Sequence, residues 1–350
     1  MPLAHSGLGG IAATRTHVVF GDRDIDDFHD VFRCLDARTG ATIWEVQRLA
    51  IGALDYGNSP RATPLIHDGR VFCLGAFGRL LCVRLTDGTV IWEKNLPEEF
   101  KPAGELPWGY CGSPLIIDGR LIVNPGAAAA SVIALNPGTG DVVWKSPGAA
   151  PSYGSFIAGT FGGVRQIVGH DSVSLGGWDV SNGKRLWTVT PAVDGDFNVP
   201  TPVAHDGRLL VVTENNGARL FQFGGDGQIT TPPVMVNGKL RPDMSTPVVV
   251  NDRIYCVNRF LYCLNLSDDL TESWRIRDAA LGDYAAIFAS DSRILIIGSG
   301  ELLLMGADGA KQIISRLRIF DDRLPIYSHP ALIGNHLYVR GDAKLVCVVL

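Results

Sequence analysis

The apolar residues of this chain come in short runs cut by pairs such as Asp-Gly, Asn-Gly and Thr-Gly. No window sustains a helical period, whereas short apolar runs bounded by turn residues predict strands. The stretch from Pro64 to Phe72 shows the pattern: Leu65 and Ile66 lead into Asp68-Gly69, then Val71 and Phe72 lead out. The stretches Pro114 to Ile122 and Pro202 to Leu210 repeat it, with weaker versions at Pro247 to Tyr255, Ile287 to Ile294 and Pro330 to Tyr338. Asp-Gly between two apolar runs predicts a hairpin, because a two-residue turn of this kind needs positive φ at both positions.

A second motif follows each hairpin: a turn glycine, three residues, then tryptophan. It stands at Gly40 and Trp44, Gly88 and Trp92, Gly140 and Trp144, and Gly183 and Trp187. These tryptophans are spaced by 48, 52 and 43 residues, and Trp274 follows after a further 87, or two periods. Gly227 with Thr231 and Gly309 with Ile313 read as degraded copies, and the Trp274 copy has Leu270 where its glycine would be. Each period therefore holds four short strands, A to D. The A–B turn carries Asp-Gly, and strand D carries the tryptophan. Four-stranded units in tandem at about 45 residues predict the blades of a β-propeller.

First strands begin near Gly10, Pro64, Pro114, Phe156, Pro202, Pro247, Ile287 and Pro330, whereas fourth strands number only seven. The expected architecture is all-β: one eight-bladed propeller domain over residues 1–350, of four-stranded antiparallel blades, the last incomplete at the C-terminus. The expected blades are 8–48, 58–96, 108–148, 152–190, 197–233, 243–278, 283–320 and 326–350. A strand from Met1 to Ser6 is the expected source of the missing edge partner.

Composition narrows the partners. A formal net charge of −5 with no Lys/Arg run excludes a nucleic-acid footprint. No apolar stretch is long enough to span a membrane as a helix. The opening residues lack the basic and apolar regions of a signal peptide, so either the protein is cytoplasmic or an export segment precedes Met1. The seven cysteines form no CxxC pattern, and most sit inside apolar strands as small packed thiols. Cys73 with Cys82, and Cys256 with Cys263, are the pairs that hairpin pairing would bring near enough for a disulfide in an oxidising compartment.

The Leu35-Asp36-Ala37 segment ahead of Gly40 and Trp44, with its four close copies, resembles the pyrroloquinoline-quinone (PQQ) enzyme repeat. The resemblance covers almost the whole chain. It implies an eight-bladed propeller in which Trp44, Trp92, Trp144, Trp187 and Trp274 dock each blade on the next. It also points to BamB-like and other exported bacterial propellers, and so to a periplasmic location. Quinoprotein dehydrogenases of this family hold their quinone beside a disulfide between adjacent cysteines, with calcium. No two cysteines are adjacent here. The expectation is therefore no cofactor, neither PQQ nor calcium, and no catalytic residue.

The D–A loops carry the candidate chemistry. They hold Asp55, Tyr56, Asn58, Trp108, Tyr110, Tyr153, Asp196, Phe197, Asp243, Asp283, Tyr284, Tyr327 and His329, with Asn215 on a B–C loop. Rings mixed with carboxylates and amides around a concave opening suit a sugar or a cationic group, and the expected ligand at the loop face of the channel is a protein segment or a small polar or sugar-like molecule. The same rings would also serve as packing against the first strands. Alternating aspartates from Asp22 to Asp30 begin like a calcium loop, but Asp27 stands where glycine is needed and Arg33 at the twelfth position. A solvated acidic loop is the expectation there, with no metal. Two function classes stand: a monomeric, non-enzymatic binding or scaffolding propeller, or an enzyme, either a divergent quinoprotein dehydrogenase or a carbohydrate-active lyase or hydrolase.

Overall fold

The computed structural model describes residues 1–322 and 324–350. These form eight consecutive antiparallel sheets, each a meander of neighbouring strands, the arrangement of an eight-bladed β-propeller. Seven sheets have four strands and the last has three. Strand D of the first seven blades is Thr42–Leu49, Val90–Asn95, Val142–Ser146, Arg185–Val189, Met235–Asn237, Glu272–Ile276 and Ile313–Arg318. Among the described residues the only helix is the five-residue Leu96–Phe100, started by Pro97.

The A–B turns behave as their residues demand. Asp68-Gly69, Asp118-Gly119 and Asp206-Gly207 all have positive φ at both positions, and Asn251-Asp252 adopts the same form. In the C–D turns, Gly40, Gly88, Gly140 and Gly183 have φ of 72°, 73°, 78° and 73°. Leu270 stands in for the missing glycine at φ 54°.

The chain divides into two compact units, Met1–Pro151 with Tyr327–Leu350, and Ser152–Ile326. The first holds blades eight, one, two and three; the second holds blades four to seven. In each unit, apolar clusters lie between the facing sheets of successive blades, as between Val19, Phe32 and Cys34 of blade one and Val71, Cys73 and Leu81 of blade two. A sheet buries both faces only when it has a neighbour on each side.

Every joint between successive blades within a unit carries one further device: a side-chain donor aimed at a C–D turn carbonyl of the next blade. Trp44 Nε1 donates to Leu85 O at 2.7 Å, Trp92 Nε1 to Pro137 O at 3.0 Å, and Trp274 Nε1 to Gly309 O at 2.6 Å. Where the repeat is degraded, another group takes the task. Trp187 Nε1 donates to Gln166 Oε1 at 2.7 Å, and Gln166 Nε2 passes the link on to Gly227 O at 2.9 Å. Asn237 Nδ2 donates to Leu270 O at 2.7 Å. Blade eight has no strand-D tryptophan, and Tyr338 Oη donates to Ala37 O at 3.0 Å in its place.

One expectation needs correction, and one alternative is removed. Blade five does not end at residue 233 with Thr231 in the tryptophan position; its outer strand is Met235–Asn237. Pro232 and Pro233 have no N–H to give to a ladder, so pairing with the C strand resumes only at Val234 N to Leu220 O, 2.8 Å. The cysteines are free thiols, as expected, and the alternative disulfide pairings do not form. Cys73 lies opposite Leu81 and Cys82 opposite Phe72, while Cys256 lies opposite Tyr262 and Cys263 opposite Tyr255. An offset of one residue sends the two thiols of each pair to opposite faces of their sheet.

The eighth blade gains a partial outer partner from the N-terminus. Pro2 bridges Lys344 in antiparallel fashion. Leu3 N donates to Ala343 O, and Leu345 N to Met1 O, both at 2.9 Å.

Candidate functional site

In the first unit the loop after blade one is held from several sides. Asn58 Oδ1 accepts from Leu54 N at 3.0 Å, and Asn58 Nδ2 donates to Asp27 Oδ2 at 2.6 Å. Arg61 spends its guanidinium on three carbonyls, those of Ser59, Asp55 and Gly57, at 2.9, 2.6 and 2.7 Å. Asp55 N donates to Pro107 O at 2.9 Å, tying this loop to the one that carries Trp108. On this frame Tyr56 sits at φ 65° and remains 76% exposed. Its ring meets the half-buried Trp108 edge-on, with centroids 6.0 Å apart. Tyr110 is buried instead, its hydroxyl donating to Pro125 O at 3.2 Å, so it packs the loop and presents nothing. Tyr327 and His329 precede blade eight, where His329 O accepts from Ile11 N at 3.0 Å.

The acidic loop itself, residues 24–28, is exposed or half-buried as expected, but the aspartates on the strands that flank it are not solvated. Asp22, Arg23, Asp30 and Arg340 are all buried. Arg23 donates to Asp27 Oδ1 at 2.7 Å, Asp30 Oδ1 at 2.9 Å and Ala50 O at 3.0 Å. Arg340 pairs with Asp22 at 2.8 Å. Burial pushes Asp30 up to about 6 against the pull of Arg23. Asp24 is held at about 2: desolvation is the largest single influence and raises it, but bonds from the His29 amide and ring and from the Phe28 amide together outweigh it. Asp22, Asp24, Asp27 and Asp30 thus each have a cation or amide of their own, while Asp26 is exposed. Among the described residues no group of three His, Cys, Asp or Glu side chains could hold a metal ion.

In the second unit Tyr153 and the exposed Phe197 pair with centroids 6.4 Å apart. Asp196 is buried and its oxygens accept from Asn215 N at 2.7 Å and Asn216 Nδ2 at 2.5 Å. Glu214 accepts from Phe197 N. Burial raises the Glu214 carboxyl against that amide, with Asp196 and Asp243 adding to the rise. Asp283 is engaged by Arg259 at 2.8 Å, and Tyr284 is half-buried. The candidate residues therefore form two ring pairs, one in each unit, and the carboxylates among them mostly hold loops in shape.

The family of these repeats is decided by comparison. The model described as outer membrane protein assembly factor BamB matches residues 28–268 and again 128–318. The chain belongs to the PQQ-like propeller family. A quinoprotein alcohol dehydrogenase from Pseudomonas putida, PedH, is 30% identical over 164 residues, 43% of this chain and 25% of that protein. This PQQ-like propeller therefore spans about a quarter of the length of that relative. Among solved structures, the quinohemoprotein alcohol dehydrogenase ADHIIG of Pseudomonas putida HK5 is 11% identical with a TM-score of 0.64, covering 97% of this chain and 70% of that one. The computationally designed Ika8 protein is 10% identical with a TM-score of 0.67, covering 100% and 98%. At these identities the two structural likenesses are of fold alone.

The residues of this PQQ-like propeller do not fit a quinone held against a vicinal disulfide, because its seven thiols lie on separate strands and turns and all are free. Sequence reasoning missed Arg23, Arg61 and Arg340, the buried guanidinium groups around which the loops are built, and the half-buried Arg219. Nothing in the pattern separates them from surface arginines; only their burial does. No helix among the described residues is long and apolar enough to cross a membrane.

Proposed function

We propose that this PQQ-like propeller is a non-enzymatic binding protein that takes an extended protein segment on the Tyr56–Trp108 ring pair. The observation that carries the reading is a ring 76% exposed on a loop fixed by the Asn58 and Arg61 bonds. An exposed aromatic side chain on a rigid loop costs little entropy to dock, and such rings are enriched among residues that dominate binding energy. The assembly-factor description of the family is in line with a scaffold role in the periplasm, with the chain acting as a monomer and without quinone or calcium.

A peptide array covering outer-membrane proteins, probed with wild type and with the Tyr56→Ala/Trp108→Ala variant, tests this. The expected result is a set of bound segments whose affinity falls at least about tenfold in the variant, the loss of roughly 1.4 kcal/mol. Equal binding by the two proteins, or binding to a glycan array in place of peptides, overturns it. The 30% identity to a quinoprotein alcohol dehydrogenase favours a second reading, as a divergent quinoprotein. Dye-linked turnover of alcohols after addition of PQQ and calcium would replace the binding reading with that one.

A further inference from the structure

Most buried guanidinium groups in this protein are well supplied with acceptors. Arg23, Arg61 and Arg340 each reach several carbonyl or carboxylate oxygens, and Arg185 bonds Asp171 at 2.6 Å and Ser174 Oγ at 2.7 Å. Arg219 is different. Among the described residues its one hydrogen bond runs from Nη2 to the neutral Thr213 Oγ1 at 3.0 Å, with no carboxylate or carbonyl oxygen accepting from it; its buried Nε, like those of Arg185 and Arg340, has no partner. The neighbouring carboxylate, Asp196, is already committed to Asn215 N and Asn216 Nδ2. A guanidinium has five donors and is costly to desolvate without acceptors, so this group is left short of an oxygen ligand.

Arg219 also lines a cavity of the second unit, about 450 Å³ in volume. The cavity exists because Pro232 and Pro233 delay strand D of blade five, leaving Phe221 of strand C with no strand-D residue opposite it. Phe221, Pro232, Pro233 and Val236 give it apolar walls, and Thr188 and Asn216 add polar atoms. A small void shares Arg219 and Val189 with this cavity and is also lined by His170. His170 is buried, and its Nδ1 has no partner among the described residues. Burial and the nearby Arg219 hold the His170 ring at about 3, so it is neutral and Arg219 is the cation facing the space.

We propose that this cavity binds a carboxylate carried on a compact apolar body, with Arg219 as the anion-binding residue. A planar carboxylate matches the fork of a guanidinium, and the apolar walls match the rest of such a ligand. One cation beside the carboxylate Asp196 suits a monoanion and disfavours a phosphate dianion. The carboxylate has two sources, a free organic acid or the C-terminus of a peptide. This site is separate from the Tyr56–Trp108 pair and does not rest on the function proposed for it.

Saturation-transfer NMR on the full chain tests the proposal with four probes: benzoate, benzamide, and the tripeptide Gly-Val-Phe as its free acid and as its C-terminal amide. The expected result is binding of benzoate, of the free-acid peptide, or of both, with no binding of the matching amides. Response to benzoate alone assigns a free acid, and response to the peptide acid assigns a chain terminus. Arg219→Gln should weaken binding at least about tenfold. Val236→Trp, a change at an exposed position on the cavity wall, should block it in a fold left intact. Absence of binding by both acids, equal binding of acid and amide, or unchanged binding in either variant overturns the proposal.

Discussion

At the scale of single residues, the glycine four before the tryptophan does two jobs in blades two and three. Its positive φ makes the C–D turn, and its missing side chain leaves room for the tryptophan of the blade before. A Cβ on Gly88 would stand 2.8 Å from the Trp44 ring, and one on Gly140 2.8 Å from the Trp92 ring. Gly40 has the same turn, with φ 72°, but a Cβ there meets nothing within 4 Å. The reason is that blade eight docks through the Tyr338 hydroxyl and brings no tryptophan. Gly88→Ala should therefore cost about 2–4 kcal/mol, roughly 1 from backbone strain and the rest from displacing the ring, while Gly40→Ala should cost only about 1. Urea unfolding of the two variants measures this, and equal losses would defeat the double role. The glycine and its spacing were legible in the sequence. Its partner was not, because the ring that fills the space belongs to a different repeat.

At the scale of elements, the sequence announced the first strands to within a few residues, because Asp-Gly turns have few alternatives. It also announced seven outer strands against eight inner ones, and the structure adds how the shortfall is met. Met1 to Leu3 cover the end of the last strand, while the His5 carbonyl accepts from Arg340 at 3.1 Å and the Ser6 carbonyl from Ser59 at 2.7 Å. Removing Met1 to Ser6 should open the buried Arg340–Asp22 pair to water and release the Leu345 amide. Hydrogen exchange at Leu345 is expected to quicken at least about tenfold, with Cys82 in blade two unchanged as the internal control. Unaltered exchange at Leu345 would show that the N-terminal segment contributes nothing to the edge. Blade five was misread for the opposite reason. The periodic count favoured a strand through Thr231, and the two prolines after it, which no ladder accepts, outweighed the count. The cavity beside Arg219 follows from that displaced strand, so the site hidden from the sequence and the element misread from it have one cause.

At the scale of the whole molecule, the thiols give a test of the register of several sheets at once. Cys34, Cys73, Cys82, Cys256 and Cys263 are buried, Cys111 is partly covered and Cys347 is exposed. Burial pushes the Cys34, Cys111 and Cys256 thiols up to about 12 and Cys82 to about 11, far from the thiolate that reacts. Cys347 is raised as well, chiefly by desolvation. Cys82 belongs to the cluster shared by blades two and three, and Cys73 to the cluster shared by blades one and two. Cys256 and Cys263 are divided in the same way between two other clusters. No change of rotamer brings either pair together, since a whole sheet lies between them. A periplasmic protein with this register would keep its thiols reduced through geometry, whatever the compartment's redox poise. Alkylation of protein purified without reductant from an oxidising compartment should therefore find all seven cysteines free after denaturation, with Cys347 the first to be modified in the native state. A disulfide between Cys73 and Cys82, or between Cys256 and Cys263, would mean that the pairing register in that blade is shifted by one residue. Such a shift would exchange every apolar residue of the strand between two blade interfaces, so a single mass shift of two hydrogens reports on the packing of the blade as a whole.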